Sequence, residues 1–382
     1  MDFSYTPDQE ALRERLLEFA ERELSEGAIE RDREGEFPRD LWDRCGEMGI
    51  QGLPVPERYG GIGLDPLSTA IALEAFGYGC RDGGLAFAIG AHLFACVVPI
   101  WKHASEELKR RYLPDLSNGT LIAVNAITEP DSGSDAFAMK TRAVPVEGGF
   151  RLSGTKTFAS NGPVADLALV YAATDPDVGF LGGITAFIVE RGANGYSVGQ
   201  RFEKMGLRTA PLSELVFEDV FVPDEAVVGG VGGGGPIFNE SMEWERICIP
   251  AMHLGTMAHL LDRAVEQART RRAFGKPIGK NQAVSHKIAD LKIRLEAARL
   301  LTYRSATRLE GSGSAGIDAS MTKVLVSESL VRSAMDVVQI YGGYGYMDEY
   351  GIERILRDSI GSTIYSGTSE MQRNIIAGWL GL

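Results

Sequence analysis

Apolar residues recur at intervals of three and four over the opening part of the chain, alternate in short runs through the middle, and return to helical spacing towards the end. Thr6, Pro7 and Gln9 supply an N-cap, a first-turn proline and a capping-box partner, and Leu12, Leu16 and Phe19 follow at helical spacing. Pro38 opens a second helix through Leu41 and Trp42. The same periodicity predicts helices over 67–77, 84–103 and 106–116. Near Asn118-Gly119 the texture changes. Segments 143–146 and 150–152 flank Glu147-Gly148-Gly149 and predict a hairpin, while 167–171, 184–189 and 212–217 read as further strands. Short strands separated by turn residues suggest a closed barrel or a sandwich. A glycine-rich run over 229–235 precedes helical patterns over 237–270, 281–309, 317–341 and 369–380. The expected architecture is α+β in three parts: an N-terminal α-helical domain (1–119), a middle β domain (120–232) and a C-terminal α-helical bundle (233–382).

Composition narrows the function classes. The chain has 382 residues, 44% apolar and 24% charged, which is ordinary for a globular protein of two or three units. Its formal net charge of -13 argues against nucleic acid as a partner and fits poorly with anionic membrane surfaces. Cys45, Cys80, Cys96 and Cys248 are scattered without CxxC spacing, which predicts buried reduced thiols in a cytoplasmic protein and no metal site. The N-terminus lacks a basic-then-apolar signal pattern, and no run of about 18 apolar residues is expected, so neither secretion nor a membrane span is anticipated. The glycine-rich run lacks the spacing of a dinucleotide fingerprint and reads as a linker.

Several segments carry candidate chemistry. Thr128 and Ser134 lie in one polar loop, and Phe158 and Ser160 at the end of a strand; both loops could hold the polar edge of a heterocycle. Arg271 and Arg272 stand beside Phe274, with Gln282 following, and arginine forks suit a pyrophosphate, though a basic pair also suits a solvated surface. Gln339 to Gly345 is rich in glycine and either admits a close backbone approach or caps a helix. The closing segment reads Ile364-Tyr365-Ser366-Gly367-Thr368-Ser369-Glu370.

In this order and at this spacing the segments resemble the acyl-CoA dehydrogenases along the whole chain. The resemblance implies an N-terminal helical domain, a central β domain, a C-terminal four-helix bundle, a homotetramer, and FAD held between β domain and bundle. Carried over by position, it implies that Thr128 and Ser134 meet the flavin, that Phe158 stacks on it where tryptophan is usual, and that Ser160 replaces a threonine beside it. It implies that Arg271, Phe274 and Gln282 bind the diphosphate and adenosine half of a neighbouring subunit's FAD. Gln339, Gly343, Thr368 and Glu370 are expected to complete that adenine end.

Most of that family carries its catalytic glutamate immediately before the Gly-Thr pair. Here the position is Ser366, whose hydroxyl is no base without a partner to take its proton. A minority places the glutamate on the first helix of the C-terminal bundle, followed by arginine, and Glu245-Arg246 matches. Helical arithmetic agrees independently. Glu245 lies three residues after Met242, four before Ile249 and seven before Met252, on one apolar stripe, whereas Glu243 is turned about 200° away. A carboxylate on an apolar stripe is costly unless it has a use or a partner. The resemblance therefore implies that Glu245 removes the α-proton of a thioester, with only the backbone N–H of Ser366 supporting the thioester oxygen, so that Ser366→Ala is expected to be nearly silent. Arg246 and Tyr365 are expected beside the substrate.

Segments at 77–80, 125–130, 241–246 and 359–366 are similar to a subgroup acting on carrier-bound groups, notably the prolyl-carrier-protein dehydrogenases of natural product pathways. The implied partners are an acyl or peptidyl carrier protein, or a CoA thioester, and an electron-transferring flavoprotein or oxygen as acceptor. Competing readings are a short branched-chain, isovaleryl-type acyl-CoA dehydrogenase, a flavin monooxygenase on the same fold, and a non-catalytic binding protein. Basic residues from Arg263 to Lys292 concentrate positive charge, but a solvated helical face explains them equally well.

Overall fold

Helix starts are chemically marked in this computed structural model, which describes residues 4–310 and 315–382. The capping box of α1 (Pro7–Leu24) closes as expected: Gln9 N–H donates to Thr6 Oγ1 at 3.2 Å and Thr6 N–H to Gln9 Oε1 at 3.0 Å. Two shorter helices follow, α2 (Ala28–Glu34), which the sequence pattern did not predict, and α3 (Arg39–Glu47). Asp65 caps α4 (Pro66–Gly79) and Asp82 caps α5 (Gly83–His92) through side-chain oxygens.

The helix expected over 84–103 is interrupted. After α5 comes a π turn, Leu93–Val97, and then α6 (Val98–His103). Pro99 has no N–H to give to the preceding turn, and the wider turn absorbs that loss. This stretch also corrects the membrane expectation: Gly83–His103 reaches a mean hydropathy of 1.9, long and apolar enough to span by composition. Within this chain 83% of that window is buried, as the core of the N-terminal helical layer. The layer closes with α7 (Glu106–Ser117).

The middle part is one eight-stranded sheet: β1 (Ala123–Ala126), β2 (Arg142–Val146), β3 (Gly149–Ser160), β4 (Leu167–Ala173), a short turn α8 (Phe180–Gly183), β5 (Ile184–Glu190), β6 (Tyr196–Arg201), β7 (Leu212–Pro223) and β8 (Val227–Val228). The predicted hairpin is the β2–β3 pair, turned at Glu147-Gly148 with Gly148 at φ 75°. The hydrogen-bonded order is β6-β7-β3-β2-β4-β5-β8, with β1 beside β4. A single pairing, Arg142 with Ala173, joins the β2 side to the β4 side. The two halves fold over each other sandwich-fashion, β1 against β3 and β5 against β7, around Val124, Leu152, Phe187 and Phe217.

The C-terminal part comprises α9 (Gly234–Thr270), the small hairpin β9 (Arg272–Ala273) and β10 (Lys276–Pro277), α10 (Gln282–Leu309), α11 (Gly316–Tyr341), α12 (Gly343–Tyr346), α13 (Ile352–Gly361) and α14 (Ser369–Trp379). Among these, α13 escaped the periodicity reading. α9 is central and packs on α4, α10 and α11. Its backbone touches α4 at two glycines: a Cβ on Gly77 would lie 2.1 Å from Met252 O, and one on Gly255 2.1 Å from Glu74 O. Pro250 sits inside α9 and leaves the Arg246 carbonyl without its helical donor.

A loop of the β part locks the three parts together. Leu207 N–H donates to Asp358 of α13 at 2.5 Å, and Thr209 Oγ1 donates to Asp82 at the start of α5 at 2.5 Å. The α4–α9 approach is tight enough that Gly255→Ala should lower folding stability by about 1–3 kcal/mol, the usual cost of overpacking. Chemical denaturation checks this, and an unchanged midpoint contradicts it.

Candidate active site

Glu245 is 7% exposed on α9, on the stripe with buried Met242, Ile249 and Met252. Glu243 lies on another face and accepts the Ala315 N–H at 3.1 Å. Burial pushes the Glu245 pKa up, while a hydrogen bond from Ser366 and the charges of Arg246 and Lys323 oppose that rise. The hydrogen-bond donor is the Ser366 hydroxyl, bonded to Glu245 Oε1 across 121 residues of sequence. The expectation that Ser366 offers only its backbone N–H is therefore revised: its side chain holds the carboxylate.

Ser366 is placed by an unusual backbone. Its φ is 57° and that of Gly367 is 87°, both left-handed. A serine there is strained and must be held. Its carbonyl accepts from Arg246 Nε at 2.9 Å and from Gln372 Nε2 at 3.1 Å. Among the described residues, the Ser366 N–H has no backbone partner, so it can serve an oxyanion. Arg246 and Tyr365, expected beside the substrate, are both engaged with the protein: Arg246 with the Ser366 carbonyl, and the Tyr365 hydroxyl with His253 Nε2 at 2.7 Å. Gln372 and His253 were not anticipated. The alignment of His253 two turns beyond Glu245 on α9 was the available signal.

Lys323 on α11 is 2% exposed, and its ammonium has no hydrogen-bond partner among the described residues. Burial, with Arg246 nearby, lowers its pKa to about 8. It adds a second buried cation to the surroundings of Glu245.

Two of the β-part segments reach the helices around this centre, through Phe137 to α9 and through Asn161 to α5. Thr128 follows β1, and its loop is anchored by Lys156, whose ammonium donates to Glu129 Oε1 and Ile127 O, each at 2.9 Å. Burial lowers the Lys156 pKa to about 8 against the opposing pull of Glu129. The exposed Ser134 loop reaches α9 through Phe137, whose ring lies 6.1 Å from Phe238. A register shift in β3 between Lys156 and Ala159 re-aims Phe158, which sits at φ 51° and is 61% exposed. Beyond Ser160, Asn161 Nδ2 donates to Ala88 O of α5 at 2.9 Å. Hydroxyls and a displayed aromatic plane fit the polar edge and face of a flavin.

The other predicted cofactor residues lie elsewhere. Arg271 stands at the far end of α9, roughly 39 Å from Glu245 at the helical rise. It stacks over Tyr344 at 5.3 Å, which brings it to Gly343, near Gln339 at the end of α11. Phe274 tips the β9–β10 hairpin at φ 50° and is 97% exposed; Gln282 is exposed at the start of α10. A guanidinium with exposed aromatics fits a diphosphate and adenine. Thr368 and Glu370 do not join this group. They open α14 immediately after Ser366, and Glu370 acts on Lys323, which is 16 residues before Gln339 on α11, or roughly 24 Å by helical rise. Within one chain, Thr368 and Glu370 therefore lie apart from Gln339 and Gly343. Several basic side chains after Arg263 are already engaged: Arg263 with Tyr341, Lys287 with Asp336 and Lys292 with Glu296.

The chain matches the N-terminal domain of acyl-CoA dehydrogenase over residues 6–120, the middle domain over 125–220 and the C-terminal domain over 232–381. It is 46% identical over 378 residues, 99% of each chain, to an L-prolyl-peptidyl-carrier-protein dehydrogenase of Pseudomonas fluorescens. Among solved structures it is similar to PigA with FAD and proline, at a TM-score of 0.98 and 43% identity over all of both chains. It is also similar to the prolyl acyl carrier protein oxidase AnaB, at a TM-score of 0.97 and 42% identity over 99% of this chain and 100% of that one.

The raised Glu245 pKa has a consequence for stability. Below the ordinary glutamate range of about 4.3 the carboxyl is protonated in both folded and unfolded states and contributes nothing. As pH rises, the unfolded chain releases the proton first, so the folded state carries a growing penalty that levels off above the folded pKa. Glu245→Gln should therefore raise the melting temperature more at pH 8 than at pH 4.5. An equal or opposite change would contradict the buried ionisable carboxyl.

Proposed function

Because this chain belongs to the acyl-CoA dehydrogenase family, we propose that it catalyses FAD-dependent α,β-dehydrogenation of an aminoacyl thioester, L-prolyl on a carrier protein. The observation that carries the reading is the buried Glu245 carboxylate held by the Ser366 hydroxyl, at the loop where the family usually places its base. The substrate class rests on similarity over the full chain to proteins whose names specify prolyl carrier proteins.

Glu245 removes the α-proton. Ser366 occupies Oε1, which leaves Oε2 as the proton acceptor. Burial makes the carboxylate more basic, while the Ser366 hydrogen bond favours its ionised form. The Ser366 N–H stabilises the charge that develops on the thioester oxygen, and Arg246 and Gln372 fix the Ser366 carbonyl on the next peptide unit, which anchors the loop just after that donor. Thr128, Ser134, Phe158 and Ser160 would hold the flavin ring of the same subunit, with Thr368 and Glu370 nearby. Bound there, FAD supplies the acceptor for the β-hydrogen and its electron pair.

Arg271, Phe274, Gln282, Gln339 and Gly343 lie too far from Glu245 to grip the same cofactor within one chain, and so serve the FAD of a neighbouring copy. The site is therefore complete only in an assembly of at least two copies, for which we propose the homotetramer usual in the family, in the cytoplasm. Electrons leave to an electron-transferring flavoprotein or to oxygen.

Glu245→Gln should keep its flavin but bleach it about 10²–10⁴-fold more slowly with L-prolyl carrier protein, the range a general base contributes. Bleaching at the wild-type rate would refute the base. Isovaleryl-CoA bleaching faster than the prolyl carrier would replace the substrate reading with a branched-chain one. Ser366→Ala removes a hydrogen bond to the ionised base, so the acidic limb of the flavin-reduction rate should move to higher pH by about one unit. Rates measured from pH 5 to 9 check this, and an unmoved limb contradicts the role of the hydroxyl.

A further inference from the structure

We infer that His253 is a positioning residue for the base, acting through Tyr365 to hold the Ser366 loop in register with α9. This rests on the reading of Glu245 as the base.

Three residues of α9 meet the closing loop. Glu245 takes the Ser366 hydroxyl, Arg246 takes the Ser366 carbonyl, and His253, eight residues further along the same helix, takes the Tyr365 hydroxyl at 2.7 Å. Eight residues is slightly more than two turns, so His253 lies on the face that carries Glu245. The Tyr365 ring is clamped from the other side by Phe87 of α5, with centroids 4.4 Å apart. Tyr365 immediately precedes the left-handed Ser366, where a small backbone rotation would swing both the hydroxyl and the N–H out of place.

His253 borders a cavity of about 60 Å³ whose wall includes Phe87, Met252, His259, Arg354 and Asp358. Losing the imidazole would remove the hydrogen-bond partner of the Tyr365 hydroxyl and leave that hydroxyl to the nearby Asp358 carboxylate, on a different helix from Glu245. Burial, with Lys323 nearby, lowers the His253 pKa to about 4, so the neutral ring is the partner near pH 7. The bond therefore holds across the working range of the base.

The test compares wild type with His253→Phe, Tyr365→Phe and the double variant, all as FAD-loaded enzyme. The first readout is the limiting rate of flavin reduction with L-prolyl carrier protein, against the concentration giving half that rate. Each single variant should lose about 10–100-fold in limiting rate, the scale of an ångström misplacement, with less than a threefold change in half-saturation. The double variant should lose no more than either single one, because both break the same bond. His253→Gln, which keeps a hydrogen-bonding group, should recover most of the rate.

The second readout needs no substrate: amide hydrogen exchange of residues 362–368 should speed up at least tenfold in both single variants and remain unchanged at 123–126. Limiting rates within twofold of wild type, additive losses in the double variant, or unaltered exchange at 362–368 would each overturn the inference. If His253→Phe fails to fold, Tyr365→Phe and His253→Gln decide by the same readouts. Glu245→Gln serves as the control: its bleaching at the wild-type rate sinks the base reading, while the exchange data still judge the His253 contact.

Discussion

One hydrogen bond joins two distant parts of this chain into a single centre: the Ser366 hydroxyl to the Glu245 carboxylate. A carboxylate on the buried face of α9 is unfavourable by itself, and a serine with φ 57° is strained by itself. Each supplies what the other lacks. Glu245 gives the strained loop an acceptor to close on, and the loop gives the buried carboxylate a donor. Arg246 and Gln372 complete the arrangement by fixing the Ser366 carbonyl, so the loop cannot relax without leaving several buried polar groups unpaired.

The fold is arranged to keep α9 still. Gly77 and Gly255 let α4 and α9 touch backbone to backbone, which excludes sliding by even a methyl group. The wide turn of α5–α6 stacks Phe94 against Trp244, the residue before Glu245. Asp82 and Asp358 anchor the β-part loop to both α5 and α13. Glu245 is thus carried on an element packed against α4, α10 and α11, whereas the Ser366 N–H sits on a loop that must be fixed by its own hydrogen bonds.

Much of this was legible in the residue pattern, and the reasons are physical. Helix period and the Thr6–Gln9 capping box announced the helices, and the hairpin turned where Glu147 and Gly148 stand. Glu245 was legible because a carboxylate breaks an apolar stripe. The π turn was not, since Pro99 near the start of a helical stretch reads equally as an ordinary first turn. α13 was missed although Ile352, Ile355, Leu356 and Ile360 keep helical spacing along its ten residues. The role of the Ser366 side chain was missed for a different reason. A hydroxyl reads as inert until its partner is known, and that partner lies 121 residues away in sequence on another element. The division of Thr368 and Glu370 from Gln339 and Gly343 was likewise invisible, because only the direction of α11 separates them.

The central claim is that Glu245 is a buried, ionisable base whose affinity for its proton is raised by burial and tempered by the Ser366 hydroxyl. Infrared difference titration of wild type against Glu245→Gln measures this without any substrate. The account predicts a carboxyl band present only in wild type that titrates above the ordinary glutamate range, and that moves higher still when the Ser366 hydroxyl is removed. A band titrating within the ordinary range, or one indifferent to Ser366, would contradict it.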